Sequence, residues 1–228
     1  MKIIFTNTYS ATILEKPKPA SNYIPDWYKK IDSYMGKKKR PSDDGTALAT
    51  IKRCMPVFDM ITAGYIITTI ADIYVEPKDG APYFKWSGFD LIEFHGPDQT
   101  TGHPATNKDY ASPKFINPWS IKTPKGWSVL IMQPAHRDSV FTILPGIVDT
   151  DTYTAPINFP FTLKDPNYEG LIPAGTPIVQ IIPIKRESWE HDFGNENELK
   201  DMKKITQKMS TVFFDRYKRF WWNKKEYK

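Results

Sequence analysis

Cysteine is nearly missing from this sequence. The single Cys54 excludes an internal disulfide framework and any structural zinc site of the multi-cysteine kind. Long apolar runs are missing as well: nothing approaches the roughly 18 consecutive apolar residues that a membrane-crossing helix needs, so no membrane span is expected. The N-terminal stretch MKIIFTNTYSATILEK is interrupted by Thr, Asn and Ser, lacks a signal-peptide apolar region, and is read as retained. Glycine is scarce beside proline, 12 against 20. Proline breaks helices and central strands alike, so this ratio, with 14% aromatic residues, predicts many short strands joined by stiff turns. No Ser-His-Asp arrangement, phosphate loop, dinucleotide fingerprint or internal repeat is present.

What is there has an ordinary globular composition, 40% hydrophobic and 25% charged. The 228 residues predict one elaborated domain with appendages rather than two full ones. The net charge of +5 is unevenly placed. Leu199 to Lys228 holds ten Lys or Arg against three Asp or Glu, a local +7, so everything before it sums to −2. Nucleic-acid binding draws most of its affinity from neutralised phosphates, which requires positive charge on the folded face. Nucleic acid is therefore set aside as the main partner.

Three segments are expected. Residues 1–49 form an N-terminal arm with one short helix, in which Pro25 starts the helix and Ile24, Trp27, Ile31 and Met35 form its apolar side. The run Lys37 to Arg40 that follows is read as a solvated loop. Residues 50–186 read as a β domain, with strands expected at Tyr65–Val75, Tyr83–Trp86, Phe89–Phe94, Trp127–Met132, Val140–Leu144, Pro156–Leu163 and Ile178–Ile184. Between them, 95–118 reads as a long polar loop. Residues 187–228 carry an amphipathic helix marked by Leu199, Met202, Ile205, Met209, Val212, Phe213, Arg216 and Phe220, expected to dock on its own domain. The consecutive Phe220, Trp221 and Trp222 cannot all lie on one helix face, which points to a protein partner or subunit contact.

Four segments then carry a resemblance. Thr62-Ala63-Gly64-Tyr65 with Ala71-Asp72-Ile73-Tyr74-Val75, the turn Thr123-Pro124-Lys125-Gly126-Trp127, the segment Gly146-Ile147-Val148-Asp149-Thr150-Asp151-Thr152-Tyr153, and Ile172 to Gln180 follow one another in order. Together they resemble the motifs of trimeric dUTP nucleotidohydrolases and dCTP deaminases. The resemblance implies a mainly β, dUTPase-like β-clip, with a short N-terminal helix and an amphipathic C-terminal helix added, and a homo-oligomer, a trimer by analogy.

The resemblance also implies a site, and the departures bear on it. Asp149 falls where the family places the carboxylate that activates water, Tyr153 where an aromatic ring stacks under the sugar, and Gln180 where a side chain supports the site. Tyr65, Asp151 and Arg137 complete the candidate ligand-binding set. Against this, the first-motif aspartate falls on Ile66, and the phosphate-gripping Arg and Ser fall on Ala135 and His136, which leaves no cationic fork there. One extra residue separates Asp149 from Tyr153, and a glycine-rich C-terminal arm is absent. Several lost transition-state donors, each worth roughly a hundredfold or more, predict little conventional dUTPase or dCTP deaminase activity. Mg2+ enters only if the site acts on nucleotides, and no other cofactor is implied. His95, Asp98 and His103 are candidates for a metal site only if their loop converges them, and solvated or hydrogen-bonded histidines outweigh that reading.

A second resemblance covers roughly residues 20–190. IPDWYKK, CMPVFDMITAGY, NPWSIKTPKGW, GIVDTDTYTAPINFPF and GTPIVQIIPIKRESW are similar to a group of uncharacterised proteins from tailed bacteriophages. It implies a viral protein located in the host cytoplasm or associated with the virion. Three functions stay open: a non-catalytic binding or assembly module, a divergent nucleotide pyrophosphatase acting on a phosphorylated ligand, and a virion structural component.

Overall fold

The computed structural model describes residues 1–9, 15–37, 48–106, 110–211 and 215–228, with only the backbone of Pro97, Ser210 and Thr211. Among these residues the fold is mainly β, as the proline-to-glycine ratio predicted. The strands are β1 (Ile4–Asn7), β2 (Lys18–Pro19), β3 (Tyr65–Thr68), β4 (Ile73–Lys78), β5 (Ala81–Lys85), β6 (Ile92–His95), β7 (Ser112–Phe115), β8 (Trp119–Lys122), β9 (Trp127–Met132), β10 (Phe141–Ile143), β11 (Gly146–Val148), β12 (Phe159–Leu163), β13 (Gly170–Ile172) and β14 (Pro177–Lys185). The helices are α1 (Asp26–Lys30), α2 (Met55–Thr62), α3 (Pro97–Thr100), α4 (Glu196–Thr211) and α5 (Arg216–Phe220).

The chain forms two compact units. The first comprises Met1–Tyr23, Ala63–Arg186 and Tyr227–Lys228. It holds all the strands, in four small antiparallel sheets ordered β1-β8, β10-β12-β7-β6, β11-β9-β14-β3-β2 and β13-β4-β5. Their inward faces meet on a phenylalanine cluster. Phe115 and Phe161 stack with ring centroids 4.1 Å apart, and Phe141 meets both edge-on, all three fully buried. Ile121, Val129, Val179 and Ile181 extend this core under β14. Gly64, at φ 66°, lets β3 enter beside β14: a Cβ there would lie 2.0 Å from the Ile181 carbonyl oxygen.

The second unit comprises Ile24–Thr62 and Glu187–Glu226. Arg53 pairs with Asp215, and the Trp222 Nε1–H donates to both carboxylate oxygens of Asp59 at 2.9 Å. Lys225 reaches the same carboxylate at 2.7 Å.

Several expectations are corrected. Tyr65–Val75 is two strands, not one, because Thr69 turns aside to exchange backbone hydrogen bonds with Gly175 and Thr176. The stretch 95–118 is not all loop: it contains the last residue of β6, α3 and β7, and Phe115 of β7 is at the centre of the core. Its residues 107–109 lie outside the described residues. In α1 the buried side chain is Tyr28, whose hydroxyl donates to the Lys52 carbonyl at 3.1 Å, while Trp27 and Met35 stay exposed. A five-residue helix is too short for a periodic stripe to decide its orientation. Lys38 to Arg40 of the basic run, and Val212 and Phe213 of the tail, lie outside the described residues. Finally, α4 does not hide its apolar side: Leu199, Met202, Ile205 and Met209 are 44–55% exposed. No helix among the described residues is long and apolar enough to cross a membrane.

Candidate functional site

The segment resembling the family's Asp-bearing motif lies at one corner of the β unit, where β9, β11 and β14 end side by side. The pairing Ile184 to Ser128 and Lys185 to Trp127 carries β14 to the mouth of the turn before β9, and β11 lies antiparallel on the other edge of β9. That turn is closed by Trp127 N–H donating to the Pro124 carbonyl, with Gly126 at φ 82°. Thr123 and Thr150, both buried, join it to the Asp149–Asp151 segment through their hydroxyls, 2.8 Å apart.

Arg186 closes the corner. Its guanidinium forks onto Asp151, Nη1 donating to Oδ1 at 2.9 Å and Nη2 to Oδ2. Nη1 also donates to Asp149 Oδ1 at 3.1 Å and to Ser128 Oγ at 3.0 Å. The Ser128 hydroxyl donates to the same Asp149 oxygen at 2.6 Å, and Gly126 N–H donates to Asp151 Oδ2 at 2.8 Å. Asp151 is the enclosed member, its side chain 3% exposed, whereas that of Asp149 is 60% exposed. Hydrogen bonding from Arg186, then from the Gly126 amide, holds the Asp151 carboxyl down at about 2, and the same pairing pushes the Arg186 guanidinium up.

This arrangement limits the chemistry. A divalent cation bridging Asp149 and Asp151 would have to displace a bidentate guanidinium already seated on Asp151. The extra residue before Tyr153 is taken up in a tight turn, with Thr152 and Tyr153 N–H both donating to the Asp149 carbonyl. Tyr153 itself stands half exposed.

The remaining predicted residues fall in other places in the β unit. Gln180, fully buried, accepts from the Ala135 amide at 2.9 Å and donates to the Ala63 carbonyl at 2.7 Å, tying two of the motif-like segments together. Tyr65 packs edge-on against Phe5 and Tyr227, and its hydroxyl donates to the Lys228 carbonyl at 3.2 Å. Burial, foremost, raises its phenol. Ile66 is core. Ala135 and His136 form a turn, with His136 at φ 54°. Arg137 stands close enough to Tyr23 to act on it: burial and the Glu15 carboxylate push the Tyr23 phenol up to about 12, while the Arg137 charge pulls it back. Among the described residues no group of three His, Cys, Asp or Glu is placed to hold a metal ion. His95 Nδ1 lies 3.3 Å from Gln99 Oε1, and His103 Nδ1 accepts from the Ala105 amide at 3.1 Å.

Sequence reasoning missed Arg186 and Ser128. The available signal was a cation one step beyond a long apolar strand, and it acquires meaning only once the register of β9 and β14 is known.

No family model matches this chain, and no curated protein matches it. Among solved structures it is similar to a variant of the dUTPase of Staphylococcus bacteriophage 80alpha with dUpNHpp, at 10% identity over 86% of this chain and 89% of that one, TM-score 0.40. It is similar also to a variant dUTPase from phage phi11 of S. aureus, at 11% identity over 87% and 99% of the two chains, TM-score 0.38. A third is the native EIAV dUTPase, at 15% identity over 59% and 85%, TM-score 0.32.

Proposed function

We propose that the β unit is a dUTPase-like β-clip that has lost the conventional catalytic set and serves a bacteriophage-type protein as a binding or assembly module. The observation that carries this reading is the Arg186 clamp. Where the resemblance calls for a carboxylate free to activate water beside a phosphate grip, Asp149 accepts from Ser128 and shares Arg186 with an enclosed Asp151. Where it calls for phosphate donors, Ala135 offers an amide already taken by Gln180. The motif-like segments keep their mutual ties through Gln180 and Thr123, so the scaffold persists while the groups that would act on a triphosphate are engaged with one another. A homo-oligomer in the host cytoplasm, or in the virion, fits this role.

The test is a screen of deoxynucleoside triphosphates with Mg2+, comparing the intact chain with Asp149→Asn. No pyrophosphate release above background is expected from either. Release by the intact chain that Asp149→Asn abolishes would establish the alternative, a divergent nucleotide pyrophosphatase.

A further inference from the structure

The helical unit displays apolar groups that its own fold leaves uncovered, and it displays them on a chain with strongly polarised charge. From Glu187 to Glu198 there are five acidic residues and no Lys or Arg. From Lys203 to Lys228 there are nine Lys or Arg against two acids. The helix α4 joins the two stretches and overlaps both, and its Leu199, Met202, Ile205 and Met209 recur at three- and four-residue steps and so share one exposed side.

Each end also carries large aromatic rings. Before α4, residues 187–195 have no regular structure, and Trp189 and Phe193 stand 85% and 88% exposed among Glu187, Glu190 and Asp192. At the C-terminal end of α4, Lys208 of that helix and Arg216, Phe220 and Trp221 beyond it line a groove of about 460 Å3, large enough for aromatic side chains. An acidic aromatic arm and a cationic aromatic groove thus lie towards opposite ends of α4, a 16-residue helix roughly 24 Å long at 1.5 Å per residue. The arm does not fold back along its own α4, since both of its rings stay in solvent.

We propose that the groove is occupied by the arm of a second copy of this chain, with two α4 helices lying antiparallel across their apolar sides. An antiparallel pair is isologous: each acidic arm meets the other copy's cationic end, each Trp189 and Phe193 meets the other's groove, and the four-residue apolar stripe is covered twice over. Opposed helix dipoles favour the same orientation, and a parallel pair would set acid against acid and base against base. This rests on the assembly reading above and names its partner.

The test exchanges charge. One variant carries Glu190→Lys and Asp192→Lys, the other Lys218→Glu and Arg219→Glu. In the first variant the Glu187–Phe193 arm goes from −3 to +1, and in the second the Arg216–Phe220 end goes from +3 to −1. Each variant alone therefore has these two segments alike in sign, and its mass by light scattering should be about half that of the intact chain. Mixed in equal amounts, the two are complementary at both ends and should recover the full mass, which also shows that neither is misfolded. Variants that keep the intact chain's mass, or whose mixture fails to recover it, would overturn the pairing. So would an intact chain already at the mass of the separate variants. None of these outcomes touches pyrophosphate release, so a failed pairing and a failed non-catalytic reading are told apart.

Discussion

In the corner of the β unit, two carboxylates, a guanidinium, a hydroxyl and a backbone amide satisfy one another within a few ångströms. Along Glu187 to Met209, by contrast, large apolar and charged side chains are turned to solvent. The two stretches are adjacent in sequence at Arg186 and Glu187, yet one spends its polar chemistry on holding the fold and the other leaves its chemistry on display. Groups that are mutually satisfied report on stability. Groups that are exposed, apolar and of patterned charge report on what the protein meets.

Three measurements would break or sharpen that contrast. The largest effect belongs to the core: Phe161→Ala removes a fully buried ring that contacts Phe84, Phe115 and Phe141, and should lower unfolding stability by about 3–5 kcal/mol in a denaturant titration. An effect below about 1 kcal/mol would mean that the aromatic cluster is not the centre of the unit.

The corner should give the intermediate effect, and it should depend on acid. Unfolded, the Asp151 carboxyl takes up its proton near 3.8; folded, it does so only at about 2. Between those values the unfolded chain binds more protons, so the stabilisation from Asp151 is fully present above pH 3.8 and is lost as pH falls towards 2. Arg186→Ala should move the Asp151 carboxyl back up, read by NMR titration, and flatten that part of the stability profile. An unmoved carboxyl would show that the clamp does not form.

The smallest effect is expected on α4. Met202→Ser, on a side already exposed, should change stability by no more than about 0.5 kcal/mol at high dilution, where pairing between copies contributes nothing. A larger loss there would place α4 with the core rather than with the displayed surface.

How much of this was legible in the sequence differs from element to element. The segments Trp127–Met132 and Ile178–Ile184 read as strands because their long apolar runs are bounded by turn residues, and both lie in the central sheet. The strand Ser112–Phe115 was hidden because four residues containing a proline and a lysine carry no readable alternation, although Phe115 is part of the core. Asp149, Asp151 and Tyr153 were singled out from their resemblance to a motif, and they do share one turn. Their partner Arg186 was not singled out, lying 35 residues beyond Asp151.

The sequence by itself determined the mainly β composition, the order of the motif-like segments, and the concentration of positive charge in the last thirty residues. These follow from residue type and local order, which need no knowledge of distant neighbours. Tertiary structure alone decided that Arg186 lies on Asp149 and Asp151, that Tyr28 rather than Trp27 is buried, and that the apolar side of α4 is left bare. Each of those depends on which remote segments come to lie beside one another, and strand register and packing set that, not the spacing of residues along the chain.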